Sequence, residues 1–355
     1  MTETVPVPAS RNKLRDTLKR LAPGTPLREG LERVQRGHTG GLIVIGDGPE
    51  VVELCDGGIT FDVPFQPTLL RELCKMDGAV ILSADATRLL RANVQLVPSP
   101  TYPTAESGTR HRAAERTALQ SGVPVVSVSA SMNTLTLYAD GQRHLMEEPT
   151  VLMQRANQAL STVERYRTRL DLANQRLFVA EMNNYATVSD VLNVLQRQIM
   201  LERAANDMDE YIVELGVDAR QLTLQLSELR GSVNEIGMLV RDYVAAPTIP
   251  DAEHVDQVLR SLAELPDSQL LNSATLARAL GLPATEENLM QDVTPRGYRA
   301  LSRIPRVPTF LMDRLVGTFG ELPALIAASL DDIVAADNVS PLWARHIYDG
   351  LRRFT

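Results

Sequence analysis

Two short stretches carry the residue types that could do chemistry. In KMDGAVILS, Lys75 to Ser83, the carboxylate of Asp77 and then Gly78 precede an apolar strand, Ala79 to Leu82. That spacing sets Asp77 at the start of a strand, where a sheet edge can meet a ligand; a plain Asp-Gly turn is the competing reading. In SGTRHRAAERTALQSG, Ser107 to Gly122, the pattern predicts a helix capped by Thr109 and ended by Gly122. Arg110, His111 and Arg112 then fall in its first turn, at the positive end of the macrodipole, where each cation costs up to about 1 kcal/mol. An anion bound there reverses that sign, because free backbone N–H groups and guanidinium forks converge on it, and polyphosphate fits best. The alternative is that Arg110 and Arg112 pair with Glu106 and Glu115.

Other common catalytic signatures are missing from the chain: GxxxxGK[ST], GxSxG, HExxH and the dinucleotide-binding glycine triplet. The elements that must position the two stretches are legible around them. Leu14, Leu18, Leu21, Leu27, Leu31 and Val34 sit at helical spacings broken by APGTP, which predicts two opening helices. GGLIVIG, VVELC, GAVILS, VQLV, VPVVSVS and TLTLY follow as short strands, with helical stretches from Pro67 to Cys74 and through Ser107 to Gly122. Residues 1–148 therefore read as an α/β domain around one sheet.

From Thr150 the period changes. Leu152, Ala156, Ala159, Val163, Tyr166, Leu170, Ala173, Leu177 and Ala180 step by four and three, which keeps one apolar stripe along a long helix. Val188, Val191, Leu195 and Ile199 continue the pattern, and after an interruption at YIVEL so do Leu222, Leu226 and Leu229. Such stripes predict a helical bundle over 149–290. Its last part, residues 245–294, holds eight Asp or Glu against Arg260 and Arg278, a solvated helical connector. Residues 291–355 invert the balance: Arg296, Arg299, Arg303, Arg306, Arg314, Arg345, Arg352 and Arg353 stand there without a lysine.

The net charge of −8 excludes general nucleic-acid or membrane-surface binding and confines any such contact to a local patch. No apolar run approaches a membrane span and MTETVPVPASRNK lacks a signal-peptide core, so a cytoplasmic protein is expected. Cys55 and Cys74 form no CxxC pair and read as buried thiols.

DGA at Asp77 to Ala79 and GTRHR at Gly108 to Arg112, with RANVQLVP at Arg91 to Pro98 between them, resemble the nucleotide-binding core of the bacterial diadenylate cyclases. The whole chain, PRGYRALSRIPRVP at Pro295 to Pro308 included, is similar to the DNA integrity scanning branch of that family. The resemblance implies a multidomain α/β plus all-α chain: a cyclase domain with a central mixed sheet, a helical spine and a C-terminal helix-hairpin-helix domain. It also implies an octamer whose cyclase domains face one another in pairs. The implied reaction condenses two ATP into cyclic di-AMP with release of pyrophosphate, dependent on Mg²⁺ or Mn²⁺ and lowered by branched or damaged DNA.

On that resemblance Asp77 would hold the metal ion. Arg110 and Arg112 would neutralise the triphosphate, His111 would serve as phosphate donor or metal ligand, and Gly78, Ala79, Leu96, Gly108, Thr109 and Ser129 would line the nucleotide site. Arg303, Arg306, Arg345, Arg352 and Arg353 would meet DNA, with His346 a further contact of the second hairpin. Two departures stand out. Ala130, Ser131 and Met132 occupy positions where the family commonly places basic residues, and Asn338 and Ser340 stand where the second hairpin usually has glycines. A rival from another class is a DNA-binding scaffold whose nucleotide site is a receptor without turnover; loss of Asp77 or of the Arg110 to Arg112 triplet would have favoured it.

Overall fold

The computed structural model describes residues 9–231, 235–245, 249–336 and 339–354. The chain divides into two compact units, Met1–Ala159 with Asp207–Gln225 and Leu160–Asn206 with Leu226–Thr355. In the first, α1 (Ala9–Leu21) and α2 (Pro26–Arg36) precede β1 (Gly41–Ile45), α3 (Pro49–Val52), β2 (Cys55–Asp56), β3 (Ile59–Pro64) and α4 (Pro67–Leu73). Next come β4 (Ala79–Leu82), β5 (Arg88–Leu96), α5 (Thr109–Ser121), β6 (Val125–Val128), β7 (Leu135–Ala139) and β8 (Gln142–Met146). One mixed sheet runs β2-β5-β4-β1-β6-β7-β8, with β3 on the far side of β5. Only β1 and β4 are parallel.

The side-chain period of two divides each central strand between two cores. Ile43, Val80, Leu82, Val126 and Val128 pack with Leu21, Leu31 and Leu70 of α1, α2 and α4. Leu42, Val44, Ala79, Ile81, Val125 and Tyr138 face the other way, against Ala114 and Ala118 of α5. Helices therefore cover both faces, and α5 is held over β6 and β7, which aims its first turn at one edge of the sheet.

Several expected elements differ. VVELC is not a strand: Pro49 opens the helical turn α3, and only Cys55 and Asp56 pair, with Gln95 and Leu96. Cys55 is half-buried and only Cys74 is buried, where burial pushes its thiol up to about 12. β3 alternates Ile59, Phe61 and Val63 with Thr60 and Asp62, a strand pattern that the strands expected from sequence did not include, and it is largely exposed. β8 is polar and is made by the Asp140-Gly141 turn, whose φ values of 51° and 71° suit the type I′ turn of a tight hairpin. Thr109 does not cap α5. Gly108 is the N-cap, in extended conformation with no side-chain cap, and Thr109 is the first helical residue. Gly122 closes the helix as expected, at φ +68° with its N–H on the Ala118 carbonyl.

Beyond the sheet lie α6 (Pro149–Met182), α7 (Val188–Leu215) and α8 (Arg220–Arg230). The YIVEL segment belongs to α7, and the break follows it at Gly216, φ +55°, where a Cβ would strike the Pro23 carbonyl at 2.7 Å. In the first unit the end of α7 is fastened to β8 by His144 Nε2 and Glu214 Oε2, 3.1 Å apart. The second unit continues with α9 (Glu235–Tyr243), α10 (Ala252–Glu264), α11 (Asp267–Leu270), α12 (Ser273–Ala279) and α13 (Glu286–Leu289). It closes with α14 (Tyr298–Ser302), α15 (Thr309–Phe319), α16 (Leu322–Ala327), α17 (Leu330–Ala335) and α18 (Pro341–Leu351).

A buried carboxylate organises this second unit. Asp242, 2% exposed, accepts the N–H groups of Gly297, Tyr298 and Arg299 at 2.7, 2.7 and 2.8 Å, capping α14 from another helix. Burial, and then Glu181, push its carboxyl up to about 7. The protonated form is therefore the one favoured by folding. This contribution to stability is full at acid pH, below the ordinary carboxylate range, and is lost as pH rises through about 7. Asp242→Ala strands three buried donors and should cost about 3 kcal/mol in chemical denaturation, whereas Asp242→Asn should flatten the dependence between pH 4 and 7. An unchanged midpoint for Asp242→Ala would refute the capping role.

Candidate active site

Strand directions collect the sequence-selected residues on one edge of the sheet. β1 and β4 start there, so Gly40 and the Asp77-Gly78 pair stand side by side. β5 and β6 run the other way and end there, which brings Leu96 and Ser129 to the same edge. Gly78 is the residue that makes the Asp77 loop possible: at φ +96° its missing Cβ would lie 2.7 Å from the Val94 carbonyl and 2.9 Å from the Val94 nitrogen. The facing strand answers with a bulge at Asn93, φ +55°. Asp77 is exposed and has no hydrogen bond or ion pair among the described residues. The plain-turn reading thus describes the loop's geometry and leaves its carboxylate unengaged.

The first turn of α5 holds Thr109, Arg110 and Arg112 exposed, and it contains no acidic residue. The ion pairs of the alternative reading are absent among the described residues. Glu106 is taken by Arg143 Nε at 2.6 Å and by the Tyr138 hydroxyl at 2.8 Å, and Glu115 accepts the Thr104 hydroxyl. Arg110 instead reaches over Gly40, where an added Cβ would strike its guanidinium and come within 3.2 Å of the Val128 carbonyl. Two uncompensated guanidinium groups therefore stand beside first-turn N–H groups, an arrangement complementary to a multiply charged anion.

His111 is held differently from its neighbours. Its Nδ1 lies 2.9 Å from the Tyr138 oxygen, the rings meeting edge-on at 6.2 Å, while Nε2 is buried without a partner among the described residues. Burial holds the imidazole below its usual range; Glu106 opposes that shift, while Arg143 and Arg110 add to it. Tyr138 and Arg143 were not among the residues selected from sequence, and Glu106 was considered only as a partner of the two arginines. Arg143 is the cross-strand partner of Tyr138, a pairing that the Asp140-Gly141 hairpin turn could have revealed.

The remaining positions offer shape or backbone. Ala79 is fully buried in the α5-side core, and Leu96 packs on that core half-buried. Gly108 leaves the helix start open, its nearest neighbour for an added Cβ being His111 Cδ2 at 3.8 Å. Ser129, 8% exposed, accepts the Met132 N–H at 3.3 Å and stands 3.4 Å from Ser131 Oγ, so a polar pair occupies the end of β6. No group of three or more His, Cys, Asp or Glu side chains could hold a metal ion among the described residues. The unengaged Asp77 carboxylate is an oxygen ligand of the kind that would hold a hard divalent cation at this edge.

In the second unit the arginine-rich segment is partly interior. Arg296 donates to the carbonyls of Arg241, Asp242 and Val244, and Arg299, 7% exposed, pairs with Glu181 at 2.9 Å. Arg303 stacks on the Phe178 ring at 3.7 Å and Arg352 on Tyr348 at 5.1 Å. Arg306 sits exposed at φ +67° between α14 and α15, and Arg345 and Arg353 are exposed. His346 Nε2 lies 3.0 Å from the Pro305 carbonyl. Asn338 lies outside the described residues, and Ser340 caps α18 by accepting the Trp343 N–H.

Comparison with known proteins agrees with this layout. The pattern described as DisA bacterial checkpoint controller nucleotide-binding matches residues 28–143, and that described as DisA bacterial checkpoint controller linker region matches residues 146–289. The chain is 56% identical over its full length to DNA integrity scanning protein DisA of Corynebacterium efficiens, all of which is covered. It is 58% identical over 96% of its length to the protein of that name from Corynebacterium glutamicum, covering 94% of it, and 50% identical to that of Streptomyces coelicolor over 96% of the chain and 91% of the relative. Among solved structures, a double mutant of DacA from Staphylococcus aureus aligns at 24% identity and a TM-score of 0.31, over 38% of this chain and 90% of that one.

The α/β domain is accordingly that of a diadenylate cyclase, an enzyme of the nucleotidyltransferase class. The chain belongs to the DisA family. It continues past its nucleotide-binding domain into a helical linker region and a mostly helical remainder. No described helix is long and apolar enough to cross a membrane.

Proposed function

We propose that the protein condenses two ATP into cyclic di-AMP. Each ribose 3′-oxygen attacks the α-phosphorus of the opposing ATP, the bond to pyrophosphate breaks, and two pyrophosphates leave. The observation that carries this reading is the pair of uncompensated guanidinium groups of Arg110 and Arg112 at the open start of α5, on the same sheet edge as the unengaged Asp77. Arg110 and Arg112 would neutralise the triphosphate and the charge that develops on the departing pyrophosphate. Asp77 would hold Mg²⁺ or Mn²⁺, which lowers the pKa of the attacking 3′-hydroxyl.

One copy binding one ATP cannot close a two-fold symmetric ring, so a second active site must face the first. The exposed edge suits that demand: Met76, Val97 and Met132, at 42, 57 and 63% exposure, flank the site as apolar surface for an opposing copy. We assign the same face-to-face arrangement to an octamer. Incubation with ATP and either metal, read by chromatography with mass detection, tests the reading. Cyclic di-AMP and pyrophosphate are expected; ATP binding without product in an assembled oligomer would favour the receptor scaffold.

For the C-terminal segment, from about residue 291, we propose two helix-hairpin-helix units that bind branched DNA and lower cyclase activity. The supports are the relatives' name, DNA integrity scanning protein, and a repeated helix pair. α14 and α15 flank Ile304 to Pro308, and α17 and α18 flank the second connection. Ile304, Val307, Met312 and Leu315 are buried, as are their counterparts Ala336, Val339, Ala344 and Ile347. Phosphate contact falls to Arg306, Arg345 and Arg353, with Arg352 beside them, while the stacked Arg303 and the carbonyl-bound His346 serve mainly to hold the hairpin. Replacing Arg345 and Arg353 by Glu should weaken binding at least about tenfold and reduce the slope of log affinity against log salt by about 2. A slope unaltered from that of the original protein would remove both from the DNA surface.

A further inference from the structure

We propose that Tyr138 and Glu106 are positioning residues that hold His111 as the Nδ1–H tautomer, so that Nε2 is offered to the nucleotide site as a lone-pair acceptor and not as a hydrogen-bond donor to phosphate. The inference rests on the cyclase reading for its use and on geometry for its content.

The direction of each hydrogen bond follows from counting protons. The Tyr138 hydroxyl has one hydrogen, and it is donated to Glu106 Oε1 at 2.8 Å, because a carboxylate paired with Arg143 only accepts. With its hydrogen committed, the phenol oxygen can only accept from His111 Nδ1, 2.9 Å away. A neutral imidazole that donates from Nδ1 carries its lone pair on Nε2. That atom is buried without a partner among the described residues, and the adjacent Cδ2 is the edge of the ring nearest Gly108, the open start of α5. Burial and then Glu106 push the Tyr138 phenol up, so it remains a donor.

The supporting residues are built to stay in place. Tyr138 is 2% exposed within β7, paired with Val125 of β6 and Arg143 of β8. Glu106 precedes α5 and bridges to both Tyr138 and Arg143. An imidazole fixed through its second nitrogen is the arrangement that proteins use to orient a ligating or proton-accepting histidine. It leaves the phosphate charge to Arg110 and Arg112, which face solvent without carboxylate partners among the described residues.

Two readouts on the full-length protein test the relay. Solid-state NMR of protein carrying ¹⁵N-histidine, with His111 assigned by its loss in His111→Gln, should show a protonated Nδ1 and an unprotonated Nε2, and Tyr138→Phe should mix the two tautomers. In kinetics, Tyr138→Phe should lower kcat between about 10- and 100-fold, with KM for ATP changed less than about threefold. Glu106→Ala should behave alike, and Glu106→Gln, which keeps an oxygen for the phenol, should recover most of the loss. A protonated Nε2 in the original protein, or a Tyr138→Phe variant with tautomer and kcat unchanged, would overturn the relay. Absence of cyclic dinucleotide from the original protein would instead remove the cyclase reading, leaving the NMR result to judge the tautomer alone.

Discussion

Asp77→Asn should lower cyclic dinucleotide formation by at least about 1,000-fold while ATP still binds within about threefold. The substitution is isosteric and the native carboxylate has no described hydrogen bond or ion pair, so the fold has no stake in its charge. Its loop is fixed independently, by Gly78 at φ +96° against Val94 and by the bulge at Asn93. What the change removes is the negative charge that Asp77 would offer to a divalent ion. Equilibrium binding of ATP beside initial rates separates the outcomes. Retained turnover would take Asp77 out of the mechanism, whereas equal losses of binding and rate would make it a ground-state contact.

Arg110→Ala should lower kcat/KM by about 100- to 1,000-fold, the cost of removing one preorganised charge from a site where negative charge develops. Arg112→Ala should cost somewhat less, since Arg110 is the one that reaches over Gly40. Stability should move the opposite way, because a cation leaves the positive end of α5 that no described carboxylate offsets; a small gain in thermal midpoint is expected. Loss of midpoint together with loss of rate would instead mean that Arg110 is a structural cation and the anion site lies elsewhere.

Much of this arrangement was legible in the chain because it is local. A carboxylate before an apolar strand and three cationic residues in a first helical turn are patterns within a few residues, and the strand and helix periods that carry them are strong in Ala79 to Leu82 and Ala113 to Leu119. The relay behind His111 was not legible, for a physical reason. Tyr138 reads as one more apolar strand residue of TLTLY, and only pairing with β8 and coverage by α5 turn its hydroxyl towards Glu106. Glu106 was weighed as a partner of Arg110 or Arg112, its neighbours in sequence, yet it pairs with Arg143 from another strand. The Thr109 cap failed similarly: Thr and Gly are near equals as N-caps, and it is Gly108 that takes the position, leaving the helix start open as the proposed anion site requires. In the second unit, composition overstated the basic surface, since Arg296 and Arg299 are consumed by buried carbonyls and Glu181.

Each product molecule should join two nucleotides drawn from separate ATP molecules. Supplying equal amounts of ordinary and uniformly ¹³C-labelled ATP with Mg²⁺ or Mn²⁺ and measuring the product mass tests it most directly. Condensation of two nucleotides gives three product masses, with the mixed species twice as abundant as either pure one. Two masses without a mixed species would mean that each nucleotide reacts within itself, and would contradict a paired active site.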